Sequence, residues 1–136
     1  MSDQDRYDRI AADMPPFARI FGLRILQAHP DCLRCALDVT AALANRNGVL
    51  HGGAIMGLAD TLGGTATFLN LGDGQTTTTV ESKTNFFRAI AIGERLTTET
   101  TPLHRGRKTH VWQTHLTRSD GKLAAIVTQT QMILDA

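Results

Sequence analysis

The apolar residues follow two kinds of spacing, and each predicts a different element. Between residues 54 and 71 they recur at steps of three and four, which is the core-facing stripe of an α-helix. The members of this stripe are Ile55, Leu58, Leu62, Ala66 and Leu69. The other side of the helix carries small neutral residues, and Asp60 is its one charged residue. The pattern predicts a helix that is buried on all sides and ends near Leu71, before the turn Gly72-Asp73-Gly74.

Six further stretches alternate between apolar and polar residues or are rich in threonine, which is typical of β-strands. They comprise residues 23–29, 32–40, 75–87, 94–103, 108–118 and 122–134. Turn signals separate them, including Pro30-Asp31 and the hairpin signal Asp120-Gly121. The order predicts an α+β fold in which a curved antiparallel sheet of about six strands wraps one long helix. The 136 residues suit one domain, with residues 1–21 as a helical N-terminal cap.

Composition excludes several classes of function. A formal net charge of +1 and a small number of aromatic residues, five Phe, one Tyr and one Trp, argue against a nucleic-acid binder. The first residues include three aspartates and no apolar signal-peptide core, so we expect a cytoplasmic protein. We expect no membrane span, because Asp60 and several glycines interrupt the apolar stretch 54–71.

Cysteine and histidine spacing argues against a metal site. Cys32 and Cys35 lack the second pair that a four-ligand zinc site needs, and on a strand they point to opposite faces. We expect two structural thiols in a reducing compartment. No two of the five histidines have helical ligand spacing, and His110 and His115 fall on opposite faces of one predicted strand. The sequence therefore predicts neither a metal nor a cofactor.

The start of the long helix is the strongest candidate for chemistry. At His51-Gly52-Gly53 the missing side chains would let a substrate oxygen approach the free backbone amides closely, as an oxyanion requires. Asp60 would then serve as general base or as nucleophile for attack on a carbonyl. Both features also have structural interpretations, Asp60 as a hydrogen-bonded carboxylate and the glycines as a helix cap.

Spacing along the helix adds a constraint. Asp60 follows Gly52 by eight residues, which is roughly 12 Å along one helix and too far for both to serve one carbonyl carbon. If the two act together, they come from two antiparallel helices related by a two-fold axis. The prediction is a dimer with two composite sites.

At this point the sequence resembles the hotdog-fold thioesterases, in the branch of the phenylacetic-acid degradation thioesterases and the human-type acyl-CoA thioesterase 13-like proteins. The matching residues begin with Asn45, His51-Gly52-Gly53 and Asp60. They continue with 79–81, 86–88, Gly93-Glu94, Gly106-Arg107-Lys108 and 120–123. The resemblance covers the chain from about residue 16 onward.

The resemblance implies hydrolysis of acyl-CoA thioesters without metal, by dimers whose sheets join edge to edge and that commonly pair into tetramers. It implies that Asp60 is the catalytic carboxylate and that Gly52 supplies the oxyanion-hole amide. It further implies that Asn45 contacts the thioester or positions water, that His51 lies near the carbonyl, and that Thr79 helps to hold the water. Thr76 to Thr79 also suit a strand on propensity alone.

Substrate-binding residues are less sharply defined. Gly53 belongs to the candidate substrate site, and the basic turn Arg105, Gly106, Arg107 and Lys108, with Arg88, is a candidate contact for CoA phosphates. An ordinary solvated hairpin is the alternative interpretation of that turn. An aryl, phenylacetyl or medium-chain acyl group would need an apolar tunnel, for which the candidate lining residues are Phe68, Phe86 and Met56.

Two other functions remain open at this stage. A hydratase or dehydratase of the same fold would typically carry Asp and His five or six residues apart, whereas His51 precedes Asp60 by nine. A non-catalytic acyl-CoA binder would not need Asp60. The sequence leaves open the acyl specificity, the choice between nucleophile and base for Asp60, and the choice between dimer and tetramer.

Overall fold

The computed structural model of the protein describes residues 1–135, in which two α-helices and six β-strands form. The helices are α1 (Asp3–Ala12) and α2 (Gly52–Phe68). The strands are β1 (Arg24–His29), β2 (Cys32–Asp38), β3 (Gln75–Phe86), β4 (Arg95–Arg105), β5 (Thr109–Thr117) and β6 (Leu123–Asp135). Short 3-10 helices span Pro16–Phe21 and Ala41–Leu43. The expected α+β order is confirmed, and each strand boundary lies within two residues of its predicted position.

All six strands form one antiparallel sheet in the order β1-β2-β4-β5-β6-β3. The apolar stripe of α2 packs against this sheet, because Ile55, Leu58, Leu62 and Ala66 are buried. Trp112 of β5 is fully buried beneath the helix, and its Nε1 donates to Thr67 Oγ1 at 2.9 Å. Thr67 Oγ1 in turn donates to Gly63 O at 2.8 Å, so the indole N–H is satisfied inside the core.

The end of α2 differs from the prediction by three residues. The helix stops at Phe68 because Asn70 N and Leu71 N donate to carbonyls only three residues back, at 2.8 and 3.3 Å. Asn70 Nδ2 donates to the helical carbonyl of Ala66 and to Pro30 O, which ties the helix end to the β1–β2 turn. Apolar spacing continues through Leu69, but the backbone has already tightened there.

The prediction that α2 is buried on all sides is wrong for the single chain. The sheet covers one side of the helix, and an exposed face remains that includes Gly53, Met56, Asp60 and Phe68. The residues between them, Gly57 and Gly64, are small and half-buried. The chain thus presents a helix face that carries a carboxylate among small and apolar residues.

The two edges of the sheet are unequal. At one edge, α1 lies against the short strand β1, where Gln4 Nε2 donates to Ala28 O at 3.0 Å. The other edge is the 12-residue strand β3, whose outer side pairs with no strand of the described chain. Val80 is 52% exposed there, next to a bulge in the β3–β6 pairing. Among residues 1–135, no helix is long and apolar enough to cross a membrane.

Candidate active site

The first turn of α2 leaves one backbone amide free. His51 has extended backbone angles and is the N-cap, and its Nδ1 accepts from Gly53 N at 2.8 Å. The amides of Ala54 and Ile55 both donate to His51 O, at 2.9 and 3.1 Å. Within residues 1–135, Gly52 N donates to no other group. The structure therefore leaves the Gly52 N–H as an unused donor at the positive end of the helix, while the Gly53 N–H is taken by His51.

A tight loop holds this turn in place. Asn45 Oδ1 accepts from Asn47 N at 2.9 Å and from Val49 N at 3.2 Å. Gly48, at a φ of 76°, donates its N–H to Asn45 O, a conformation that favours glycine. Because Oδ1 fastens the loop, the side-chain group of Asn45 that remains for a ligand is its Nδ2. Asn45 and Gly52 line one cavity of about 340 Å³ together with Phe86 and Arg88.

Asp60 lies on the exposed face of α2 and is held by the edge strand. Thr79 Oγ1 of β3 donates to Asp60 Oδ1 at 2.6 Å. Within the described chain, Oδ2 accepts no hydrogen bond and Asp60 forms no ion pair. The strand register points Thr79 toward the helix, so the hydroxyl and the carboxylate meet across the β3–α2 contact.

Asp60 and Thr79 open into a second, larger cavity of about 690 Å³. Helix α2 forms one wall with Thr61, Gly64 and Phe68, and the threonines of β3 form another. The N-terminal segment closes a third side. Its contributing residues are Ile10, Asp13, Met14, Pro15, Pro16 and Arg19.

The three predicted tunnel residues separate in the structure. Phe68 lines the cavity of Asp60, Phe86 lines the cavity of Gly52, and Met56 is exposed on the helix face between them. The oxyanion candidate and the carboxylate candidate likewise lie in different cavities of one chain. A single chain does not bring Gly52 and Asp60 to one reacting atom.

The predicted basic turn begins inside a strand. Arg105 is the last residue of β4, and its Nη1 lies 2.7 Å from Asp31 Oδ1, 3.1 Å from Pro30 O and 3.3 Å from Asn70 Oδ1. Arg105 thus fastens the β1–β2 turn to the end of α2. Gly106 is confined, because an added Cβ would lie 2.6 Å from His104 Nε2.

The other candidate cations differ in how far they are engaged. Arg88 Nη1 donates to Leu123 O at 2.7 Å, beside the cavity of Gly52. Arg107 and Lys108 are exposed, and neither side chain forms an ion pair or hydrogen bond within residues 1–135. Of the basic candidates, these two have the freest side chains.

Sequence reasoning missed two buried glutamines behind Thr79. Gln129 and Gln131 of β6 are each 1% exposed, and they lie on the inner face of the sheet. Gln131 Nε2 donates to Thr79 Oγ1 at 2.7 Å, and it also donates to Gln129 Oε1 at 2.7 Å. The available signal was the alternation 127–131, in which Val127, Gln129 and Gln131 share the core-facing side.

The two cysteines line neither cavity. Burial raises the pKa of Cys35 to about 12, and it also raises the pKa of Cys32; both are free thiols. No group of three or more His, Cys, Asp or Glu side chains among the described residues is placed to hold a metal ion.

Comparison with known proteins gives consistent results. The family model described as the thioesterase superfamily matches residues 47–125, which include Gly52, Asp60 and Thr79. A Deinococcus radiodurans protein with a provisional esterase name is 39% identical over 111 residues, covering 81% of this chain and 73% of that protein. The proofreading thioesterase EntH of Cronobacter turicensis is 33% identical over 92 residues, covering 68% and 66%.

A solved structure shows the same fold over the full length. A mutant thioesterase from Pseudomonas aeruginosa superimposes with a TM-score of 0.85 at 26% identity, covering 100% of this chain and 96% of that chain. The architecture that the resemblance implied is therefore found in a thioesterase.

Proposed function

Since the chain belongs to the thioesterase superfamily and is a thioesterase of the hotdog fold, we propose that its substrates are aryl-, phenylacetyl- or medium-chain acyl-CoA thioesters. The products are the free acid and CoA. The observation that carries the proposal is the carboxylate of Asp60, which Thr79 fixes in the lining of a cavity, on the same helix as the unused Gly52 amide. These are the two groups that acyl transfer to water requires.

The proposed chemistry needs only these groups. Asp60 removes a proton from a water that attacks the carbonyl carbon, or it attacks that carbon itself and water then hydrolyses the acyl-enzyme. The Gly52 N–H donates to the oxyanion of the tetrahedral intermediate. The new C–O bond forms, the C–S bond breaks, and CoA leaves as a thiolate, which is a good leaving group. No metal or cofactor enters the reaction.

A second copy of the chain completes the proposed site. Gly52 and Asp60 of one chain lie in separate cavities, and the outer side of β3 pairs with no described strand. Pairing two β3 edges about a two-fold axis would satisfy the outward-facing backbone groups of this 12-residue strand in each chain and would set two α2 helices antiparallel. Each site would then combine Asp60 of one protomer with Gly52 of the partner. A further pairing of such dimers gives the proposed tetramer.

The larger cavity is the proposed acyl pocket. Its volume of about 690 Å³ is within the usual range of small-molecule sites, roughly 300–1,000 Å³. Met14, Pro15 and Phe68 supply apolar contacts, and the threonines of α2 and β3 add hydroxyl groups. This volume and lining suit an aryl, phenylacetyl or medium-chain acyl group.

The phosphates of CoA are proposed to contact Arg107 and Lys108, whose side chains are free, with Arg88 beside the Gly52 cavity. Arg105 and Gly106 shape that turn. The proposed location is the cytoplasm, which agrees with two unpaired thiols.

Thiol release from a panel of acyl-CoAs tests the function. The panel comprises phenylacetyl, hydroxybenzoyl, short-chain and medium-chain thioesters, with wild type and Asp60→Asn measured in parallel. We expect the wild type to hydrolyse at least one aryl or medium-chain substrate. The variant, which is nearly isosteric and so keeps the fold, should lose roughly 10²–10⁴-fold in kcat.

Either of two results would contradict the proposal. One is full turnover by Asp60→Asn. The other is tight acyl-CoA binding without turnover by a folded wild-type dimer, which would favour a binding protein.

A further inference from the structure

We propose that Gln131 and Gln129 are positioning residues, which direct the hydroxyl proton of Thr79 onto Asp60 Oδ1 and thereby reserve Oδ2 as the reacting oxygen. The inference rests on the proposed function for the role of Asp60. The hydrogen-bond geometry stands on its own. Both glutamines lie on β6 and not in the helix-start turn that holds Gly52.

A relay of four hydrogen bonds connects the backbone of α2 to the carboxylate of Asp60. Gln129 Nε2 donates to Ala59 O at 2.6 Å, and Gln131 Nε2 donates to Gln129 Oε1 at 2.7 Å. Gln131 Nε2 also donates to Thr79 Oγ1 at 2.7 Å, and Thr79 Oγ1 donates to Asp60 Oδ1 at 2.6 Å. The path leaves the helix at residue 59, passes through β6 and β3, and returns to the helix at residue 60.

The backbone carbonyl of Ala59 determines which atom donates in each hydrogen bond of the relay. A backbone carbonyl only accepts, so the atom of Gln129 that faces Ala59 O is its amide nitrogen. The other atom of Gln129 is then its oxygen, and the atom of Gln131 that faces it must be a nitrogen. That nitrogen also faces Thr79 Oγ1 and donates to it.

This order of donors determines where the single hydroxyl proton of Thr79 points. Its Oγ1 receives a hydrogen bond from Gln131, so its own proton is free to point to Asp60 Oδ1. A carboxylate has two oxygens, and the relay occupies one of them. Oδ2 accepts no hydrogen bond within residues 1–135 and is the oxygen left for water or for the carbonyl carbon.

Gln129 packs so closely against α2 that it restricts the residue type at position 63. A Cβ added at Gly63 would lie 2.2 Å from Cδ and Nε2 of Gln129, so position 63 admits no side chain while Gln129 is in place. Both glutamines are 1% exposed, and burying two amides is costly unless each is hydrogen-bonded. Thr77 Oγ1 lies 3.1 Å from Gln131 Oε1 and 2.8 Å from Met132 O, and these two acceptors share its single proton.

A double-mutant cycle separates positioning from mere packing. The variants are Gln131→Met, which keeps the length of the side chain but removes its donors, Thr79→Val, and the two combined. We expect Gln131→Met to lower kcat about five- to tenfold with little change in KM, since Thr79 Oγ1 loses the donor that directs its proton toward Asp60. In the Thr79→Val background the same change should have almost no further effect on kcat.

Two controls keep the cycle interpretable. Gln113→Met removes a glutamine whose Nε2 donates to Thr128 Oγ1 at 3.3 Å, away from both cavities, and should leave kcat unchanged. Thr79→Ser restores the hydroxyl and should recover most of the kcat that Thr79→Val loses. Multiplicative losses in the double variant, or a Gln131→Met enzyme with wild-type kcat, would overturn the proposal.

A measurement on the wild-type protein covers the case in which Gln131→Met does not fold. Side-chain amide protons followed by NMR should exchange slowly for Gln131 and Gln129 and fast for Gln113. Rapid exchange at Gln131 would overturn the relay. Since this readout needs no turnover, it also distinguishes failure of the relay from failure of the proposed thioesterase substrate class.

Discussion

The two half-sites on helix α2 are built in different ways. At the helix start, the candidate oxyanion donor is a backbone amide that a loop and an N-cap leave free at Gly52. Two turns later, the candidate base is a side chain, and Thr79 with the buried Gln131 and Gln129 fixes its orientation. The first half-site depends on backbone geometry, whereas the second depends on the identity of four side chains.

This difference teaches which substitutions each half-site tolerates. A backbone donor survives most changes of side chain and is lost only when the N–H itself is removed. A side-chain base is lost with its carboxylate, and it is weakened when its partners no longer fix it. The two halves therefore call for different variants.

The largest effect at the helix start is expected from Gly52→Pro. Gly52 is the first helical residue, where proline is well tolerated, and His51 has the extended conformation that precedes proline. The change removes the N–H and leaves the helix intact, so kcat should fall about 10²–10³-fold. Steady-state kinetics, with circular dichroism to verify the fold, measures the effect.

Gly52→Ala is the matched control for that variant. It keeps the N–H, and its Cβ would lie 3.4 Å from the Phe86 ring, an ordinary contact. We expect a small loss of kcat for alanine, whose Cβ narrows the approach to the amide, and a much larger loss for proline. Equal activities of the two variants would remove Gly52 from the oxyanion site.

A smaller effect is expected from Gly64→Leu in the other half-site. Gly64 lines the larger cavity one turn after Asp60, and an added Cβ meets no atom within 4 Å. The side chain should fill the pocket, lowering kcat/KM for the bulkiest acyl-CoA about tenfold while acetyl-CoA is affected less. Competition assays with paired substrates provide the measurement.

Alanine substitutions at the adjacent Gly63 and Gly64 test the position of Gln129. Gly63→Ala places its Cβ 2.2 Å from Gln129, so we expect a loss of about 1–3 kcal/mol in the free energy of unfolding. Gly64→Ala should be neutral or slightly stabilising, because alanine favours a helix over glycine. Equal stabilities in urea denaturation would show that Gln129 does not occupy the position that the structure gives it.

The smallest effect concerns the pH dependence of stability, and it arises at His110 of β5, beside Gln131 of β6. His110 pairs across the sheet with Gln131, is 7% exposed and has an Nδ1 without a partner. Burial, as the largest cause, lowers the pKa of His110 from its ordinary value of 6.5. The unfolded chain therefore binds a proton below pH 6.5 that the folded protein does not, and stability falls as the pH drops.

Replacing His110 with glutamine should reduce that acid sensitivity. Between pH 7.5 and pH 5.5, the wild type should lose a few degrees more in melting temperature than His110→Gln loses. Calorimetry at both pH values measures it. An identical pH response in the two proteins would mean that the ring is protonated as readily in the folded state as in the unfolded chain.

Local spacing was enough to predict most of the fold. The apolar stripe identified α2, and alternation identified all six strands, because both patterns are local consequences of backbone geometry. The Asp60 and Gly52 pair also followed from local sequence. The end of α2 did not, because a 3-10 turn and Asn70 stop the helix while the apolar pattern continues through Leu69.

The rest depends on contacts between distant residues. Arg105 was a candidate contact for CoA phosphates, and its ion pair with Asp31, 74 positions away in the chain, could not be predicted from local sequence. The hydrogen bonds of Gln129 and Gln131 could not be predicted, because they depend on β6 lying beside β3 with Thr79 in register. The third side of the larger cavity comes from the N-terminal segment, which the sequence indicated only as a cap.

Subunit complementation tests the composite site most directly. Asp60→Asn and Gly52→Pro chains, each inactive alone, are unfolded together in equal amounts, refolded and assayed for thiol release. Each mixed dimer would hold one site that combines an intact Asp60 with an intact Gly52, and half of the dimers would be mixed, so we predict recovery of about a quarter of wild-type activity. If mass spectrometry of differently tagged chains shows mixed dimers and the mixture stays inactive, Asp60 and Gly52 of different chains do not form one site.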